Sequence, residues 1–261
     1  MFNHTINPFI LNLGALKIKY YGLFYVIAFL FGIWWFRKYA NKFDKDEVYD
    51  LFLYLIIGGV GGGRLGYVIF YNLSYYISNP LKILAVNEGG MSIHGGLIGA
   101  SIAIYLFIKK MKKKGKEISY YYVADNLMIP LAFSLALGRI GNFINGELAG
   151  KPSNVWWCFN FPGYDECRHP SQLYESAKNI FIGIIMYIMW KKENLKEGTL
   201  MWTFVFLYGI LRFLIEFIRG ENQFLYWLTK GQILSVFMIV IGAFMIIKLY
   251  TSKVEEKLKI K

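Results

Sequence analysis

Charge is scarce in this chain, and acidic charge is the scarcest. Only 18% of the 261 residues are Asp, Glu, Lys or Arg, with 17 acidic side chains against 29 basic ones. A soluble domain carries nearer a quarter of its residues charged, so this composition argues against a surface bathed in water on all sides. Cysteine is limited to Cys158 and Cys167, and histidine to three residues. The two cysteines stand nine apart, which does not fit a zinc pair, and no matching Cys/His set accompanies them, so no metal is expected. A single disulfide in an oxidising compartment and two free thiols are both open readings. Neither cysteine is read as a nucleophile, because no base adjoins it in sequence. No cleavable signal peptide is expected from residues 1–19, which lack a basic stretch followed by an apolar core and a small-residue cleavage site. The first apolar run is therefore expected to stay in the protein.

Apolar residues are what the chain has in abundance, at 56% hydrophobic and 19% aromatic. Several apolar runs approach ~20 residues, the length that crosses a bilayer core. They are too long and too many for the buried strands of a soluble α/β protein. About seven spans are predicted, near residues 20–36, 49–71, 91–108, 121–143, 174–190, 200–218 and 232–250. The linkers alternate in charge. Arg37, Lys38, Lys42 and Lys45 follow the first span; Lys109, Lys110, Lys112, Lys113, Lys114 and Lys116 the third; Lys191, Lys192 and Lys196 the fifth; and Lys248, Lys253, Lys257, Lys259 and Lys261 close the chain. The other linkers hold few basic residues. Lysine and arginine accumulate on the cytoplasmic side, so the reading is an all-α integral membrane protein with its N-terminus outside and its C-terminus cytoplasmic. Its soluble parts are short, which makes residues 1–261 a single transmembrane domain. The net charge of +12 is a positive-inside signature rather than a nucleic-acid groove, so no nucleic acid is expected.

This topology turns polar residues into depths. Arg64, Arg139, Asn142, Arg212, Glu216 and Arg219 fall in the outer parts of outward-running spans. Tyr21 and His94 fall near the starts of inward-running ones. Singly each has a plain explanation: an arginine snorkelling to headgroups, an i,i+4 ion pair for Arg212 and Glu216, a satisfied core histidine, an interfacial tyrosine. Together they point to one polar chamber in the outer layer, since charged groups do not face acyl chains. Several arginines there suit an anionic phosphate, which guanidinium grips through paired charged hydrogen bonds, and the abundant phosphate at that depth belongs to a phospholipid. A neutral histidine beside it could act as a general base.

Two glycine patterns accompany these residues. Gly58-Gly59-Val60-Gly61-Gly62-Gly63 and His94-Gly95-Gly96-Leu97-Ile98-Gly99 let neighbouring helices approach closely. A phosphate-cradling loop would need a following Lys-Ser/Thr, which is missing. Gly63-Arg64-Leu65-Gly66 and Gly138-Arg139-Ile140-Gly141 share a string, but their flanks do not match, so no internal repeat is inferred.

The stretch Gly138-Arg139-Ile140-Gly141-Asn142-Phe143-Ile144-Asn145-Gly146-Glu147-Leu148-Ala149-Gly150 resembles, without a gap, the signature of the prolipoprotein diacylglyceryl transferase family. Also similar are Tyr20-Tyr21-Gly22-Leu23, Gly62-Gly63-Arg64-Leu65-Gly66-Tyr67, Gly89-Gly90-Met91-Ser92-Ile93-His94-Gly95-Gly96, the string from Arg168 to Glu175 and that from Arg212 to Arg219. The resemblance runs from near Tyr20 to about Ser235, with a compact linker between Gly150 and Arg168. It implies transfer of the diacylglyceryl group of phosphatidylglycerol to the lipobox cysteine of a prolipoprotein signal peptide. A thioether forms and glycerol phosphate leaves, in the outer leaflet of a bacterial plasma membrane and with no cofactor. It further implies His94 as base for the thiol, with a carboxylate or the lipid phosphate as other bases. Arg139 and Arg212 would serve the phosphate and leaving anion. Tyr21 would join these as a catalytic residue, and Arg64, Asn142, Glu147, Gly150, Glu216 and Arg219, with Arg139, would bind substrate or position the arginines. A lipid or solute transporter is the rival reading; it would show repeats and a path to the inner side. A light-sensing receptor would place a lysine midway along the last span, where Lys248 instead lies at the inner end.

Overall fold

A computed structural model describes residues 1–14, 16–86, 89–192, 194–220, 224–225 and 227–259; the closing Lys261 of the positive-inside pattern lies outside them. The chain is mostly helical. The long helices are α1 (Tyr20–Tyr39), α2 (Lys45–Tyr71), α4 (Ile93–Lys113), α5 (Tyr120–Ile144), α6 (Ser171–Trp190), α7 (Thr199–Glu216) and α8 (Lys230–Lys259). A short helix α3 (Leu73–Ser78) and a 3₁₀ turn (Pro80–Leu84) separate α2 from α4. Three two-stranded ribbons complete the described residues: β1 (Phe2–Asn3) runs parallel to β4 (Phe159–Asn160), β2 (Phe9–Leu13) pairs with β3 (Leu16–Lys19), and β5 (Phe224–Leu225) with β6 (Leu228–Thr229).

Among the described residues six helices are long and apolar enough to cross a membrane: α1, α2, α4, α5, α7 and residues 230–251 of α8. The seventh expected span forms as the 20-residue α6, but its composition falls short of the other six. The reason is an inverted helix. Its N-terminal half buries Ser171, Gln172, Glu175, Ser176, Lys178 and Asn179, while its C-terminal half buries Ile182, Gly183 and Met186 on the same face. Phe181, Ile184 and Ile188 point outward. A helix that keeps its polar side chains on the protein-facing stripe lowers its mean hydropathy without exposing charge to acyl chains.

The chain divides into two compact units, Met1–Gly32 with Ala124–Lys261, and Ile33–Val123. In the second unit α2 and α4 meet along a glycine seam. A Cβ on Gly58 would lie 2.5 Å from the Gly99 carbonyl, one on Gly62 2.4 Å from that of Gly95, and one on Gly99 2.0 Å from that of Gly58. The four-residue spacing puts these small residues on one stripe, so the backbones touch, as close membrane helix pairs require. This seam is what the glycine string builds. Phe36, Leu51, Phe107 and Met111 fill the core beside it. In the first unit Gly209 admits the Ser235 carbonyl of α8 to α7, and Gly242 admits the Phe206 backbone. Asp125 on α5 accepts hydrogen bonds from the amides of Gly198 and Met201, capping the start of α7, where the free N–H groups of a helix end favour a carboxylate.

Candidate active site

The first unit gathers its ionisable residues around one carboxylate, that of Glu175, which is 1% exposed. Oε1 of Glu175 lies 3.2 Å from Nη1 of Arg212 and accepts a 2.9 Å hydrogen bond from Nη1 of Arg219. Oε2 accepts a 3.1 Å hydrogen bond from Nζ of Lys178 and faces Nε of Arg139 at 3.5 Å. Lys178 also sits 3.8 Å over the ring of Tyr208, a cation–π contact that helps hold a desolvated ammonium. Glu216 forms the second centre. Its Oε1 accepts a hydrogen bond from Thr229 Oγ1, and its Oε2 lies 2.5 Å from Arg212 Nη1 and 3.7 Å from Arg219 Nε.

Four cations thus meet two buried carboxylates, an excess of two positive charges, with Arg139 and Arg212 on the partly exposed side. Buried charge is tolerated only when compensated, so the cluster is suited to an incoming anion. Nη1 of Arg212 lies between the two carboxylates, 3.2 Å from Oε1 of Glu175 and 2.5 Å from Oε2 of Glu216, so this one nitrogen joins the two centres. Arg139 is one-fifth exposed, and its Nη1 reaches Oδ1 of Asn142 at 3.4 Å. Asn142 in turn donates to Oε1 of Glu147, as does Asn145.

Local backbone explains why the signature reads as it does. A Cβ on Gly141 would lie 2.6 Å from the Tyr21 ring, so only glycine lets α1 lay that tyrosine on α5; Tyr21 and Tyr25 share a 3.0 Å hydroxyl contact. After α5 the chain turns through Gly146 and through Leu148, a non-glycine residue in the left-handed region at φ 62°. That strained step aims the carbonyls of Glu147 and Leu148 at the first turn of α6, where Gln172 and Ser171 donate to them. At Gly150 three backbones converge. Its N–H donates to His169, it bridges Arg219, and a Cβ there would lie 2.7 Å from the Ile218 carbonyl. Gly150 thus acts through its backbone, docking the strand-like segment that carries Arg219. The linker beyond it is closed by a Cys158–Cys167 disulfide, and the chain's first residues pair with it, Phe2 N–H donating to the Cys158 carbonyl.

Of the residues named from sequence, the structure brings Arg139, Arg212, Glu216 and Arg219 onto one cluster, with Asn142 and Glu147 chained to it through Arg139. Tyr21 stands against Gly141 of the same unit. Arg64 and His94 belong to the second unit. There the Arg64 guanidinium is wrapped by carbonyls, donating to Lys82, Ile83, Ala85, Gly89 and Gly90 at 2.5–3.1 Å. It braces the segment leading to Ser92, the N-cap of α4, and His94 follows as an exposed residue in that helix's first turn. Glu175 and Lys178 were missing from the sequence-derived site. The available signal was the run of polar residues at 171, 172, 175, 176 and 179, which shares one face of a predicted span.

Fold and site together define a multi-pass helical membrane protein with a cluster of basic side chains around two buried carboxylates. Comparison with known sequences narrows that class. The prolipoprotein diacylglyceryl transferase family profile matches residues 8–248. The chain is 39% identical over 251 residues to phosphatidylglycerol–prolipoprotein diacylglyceryl transferase of Aeromonas salmonicida, covering 92% of this chain and 89% of that one. It is 40% identical over 259 residues to the protein of that name from Geobacter sulfurreducens, covering 95% and 97%, and 38% identical over 258 residues to that of Photobacterium profundum, covering 95% of each. The chain belongs to the prolipoprotein diacylglyceryl transferase family.

Proposed function

We propose that this protein transfers the diacylglyceryl group of phosphatidylglycerol to the lipobox cysteine of a prolipoprotein, the first step of bacterial lipoprotein maturation. The observation that carries the reading is the excess of positive charge around the buried carboxylates of Glu175 and Glu216. In the reaction the cysteine sulfur attacks the glyceryl carbon that bears the phosphate ester. A C–S bond forms, the C–O bond breaks, and the thiol proton passes to a base. The phosphodiester enters with one negative charge and leaves as glycerol phosphate, a monoester near two. Charge therefore grows on the phosphate as the bond breaks. Fixed guanidinium groups around it stabilise the transition state more than the ground state, which is what accelerates a step. Arg139 and Arg212 take this part in the proposal. Arg219 and Glu216 hold Arg212, Asn142 and Glu147 hold Arg139, and Tyr21 contributes a hydroxyl to the lipid side.

His94 is assigned as base. A free thiol has a pKa of about 8.5, so at neutral pH a base gains much of the thiolate that the attack needs. In this reading the protein lies in the plasma membrane with α6 as its seventh crossing, its N-terminus outside and its C-terminus cytoplasmic. The disulfide linker then faces the oxidising side, where such bonds persist.

The test is a transfer assay with purified protein, acyl-labelled phosphatidylglycerol and a lipobox peptide. Label should appear on the cysteine peptide through a thioether and not on a cysteine-to-serine control. A well-folded preparation that binds the lipid but labels neither peptide overturns the proposal; lipid movement between leaflets under the same conditions would favour the transporter.

A further inference from the structure

Each oxygen of the Glu175 carboxylate faces one of the two guanidinium groups assigned to the phosphate. Oε1 faces Arg212 at 3.2 Å and Oε2 faces Arg139 at 3.5 Å. Each oxygen also carries a second, better-bonded cation: Arg219 at 2.9 Å on Oε1 and Lys178 at 3.1 Å on Oε2. The carboxylate is held in place by two short bonds and meets α5 and α7 through two longer ones. Helix α6 contributes both Glu175 and Lys178, three residues apart and both nearly inaccessible, so the hub sits on a rigid element rather than a loop. Its helix start is tied to the signature turn by Gln172 and Ser171. Arg139 and Arg212 reach the hub by single nitrogens, Nε and Nη1, which leaves other N–H groups of each fork for a ligand.

We propose that Glu175 is a positioning residue for the transfer reaction: its carboxylate fixes the separation of the Arg139 and Arg212 guanidinium groups so that both can engage one lipid phosphate. Lys178 is its partner, a buried cation bonded to the carboxylate oxygen that also faces Arg139. This role rests on the proposed reaction. It differs from charge balance alone, because two cations held at the wrong distance neutralise as well as two at the right one, but cannot clamp the same phosphate.

The test uses the whole protein in lipid nanodiscs. Glu175→Asp keeps the charge and withdraws the carboxylate by one methylene. It should leave the thermal midpoint within a few degrees of wild type and lower kcat by about 100-fold, the scale of loss for ångström misplacement of catalytic groups, with a smaller change in KM for the peptide. Glu175→Gln with Lys178→Met removes one charge of each sign; it should restore a folded, inserted protein and leave transfer equally low. Wild-type kcat in either variant overturns the proposal. Binding of phosphatidylglycerol to both variants, read by native mass spectrometry, gives a second measure: weaker retention than wild type is expected, and unchanged retention counts against Glu175. If wild type itself transfers no label, the proposed function fails while this lipid-binding comparison still reports on the hub.

Discussion

At the scale of single residues, the site depends on directional charge. Arg139 and Arg212 each touch a carboxylate with one nitrogen and keep others for a ligand, which a lysine cannot reproduce because it presents a point charge without the planar fork. Arg139→Lys and Arg212→Lys should insert normally yet lose transfer by roughly 100- to 1,000-fold, the cost of removing a donor aimed at developing charge; initial-rate assays on matched membrane amounts check this. His94→Gln should slow transfer near neutrality and recover in part as pH rises towards the thiol's own ionisation, and identical pH–rate curves for both proteins would remove His94 from proton transfer. His169, outside the spans, offers a pH handle of another kind. Burial pushes its imidazole below the ordinary 6.5, and its Nδ1 lies 3.1 Å from the Tyr174 hydroxyl, to which Trp157 donates. The unfolded chain then takes up the proton at higher pH than the folded one, so stability is fully present above about 6.5 and declines as pH falls through that value. Protection factors of amides in the 151–168 linker, corrected for the intrinsic pH dependence of exchange, should fall between about pH 7 and 5.5, and His169→Gln should flatten that dependence. That Arg139, Arg212, Glu216 and Arg219 share one cluster was legible in sequence, because arginine and glutamate inside an apolar run are costly and must find partners. Glu175 was passed over because its importance lies in geometry: three of its four cations come from outside α6, two from other helices and Arg219 from the segment after α7, and only folding puts them on one carboxylate.

At the scale of elements, length and hydropathy located all seven long helices, since ~20 apolar residues have few alternatives to a span. The short α3, the 3₁₀ turn and the three ribbons were not foreseen, because two-residue pairings such as Phe2 with Phe159 depend on distant chain segments meeting. The glycine string was legible as a packing device, and the seam it builds makes a sharp prediction. Gly99→Val would drive side-chain carbons into the Gly58 carbonyl, where even a Cβ comes within 2.0 Å; overpacking of this kind costs about 1–3 kcal/mol and more when backbone must move. Gly61→Ala, with open space at its Cβ, should be silent. Thermal unfolding in detergent should separate the two variants by many degrees, and equal midpoints would mean that α2 and α4 do not rely on that contact.

At the scale of the whole molecule, α6 decides the topology. Its hydropathy is depressed by the polar face that serves the site, so composition alone would leave six crossings and put both ends of the chain on one side of the membrane. The lysines after α4 and after α6 argue otherwise: read by the positive-inside tendency, both clusters are expected on the cytoplasmic side, and with α6 counted as a span the disulfide linker is expected on the opposite face. Single cysteines introduced at exposed positions distinguish the two arrangements. Asn154→Cys lies in the linker, Lys113→Cys at the end of α4 and Lys192→Cys just beyond α6, and the native Cys158–Cys167 pair is bonded and silent to maleimide. An impermeant maleimide added to intact spheroplasts should label the variant at 154 and should label those at 113 and 192 only after permeabilisation. Labelling at 192 from outside, with 113 still protected, would mean that α6 turns back without crossing. The carboxylate of Glu175 would then have to be held by a re-entrant helix, tolerated at membrane depth only where protein surrounds it.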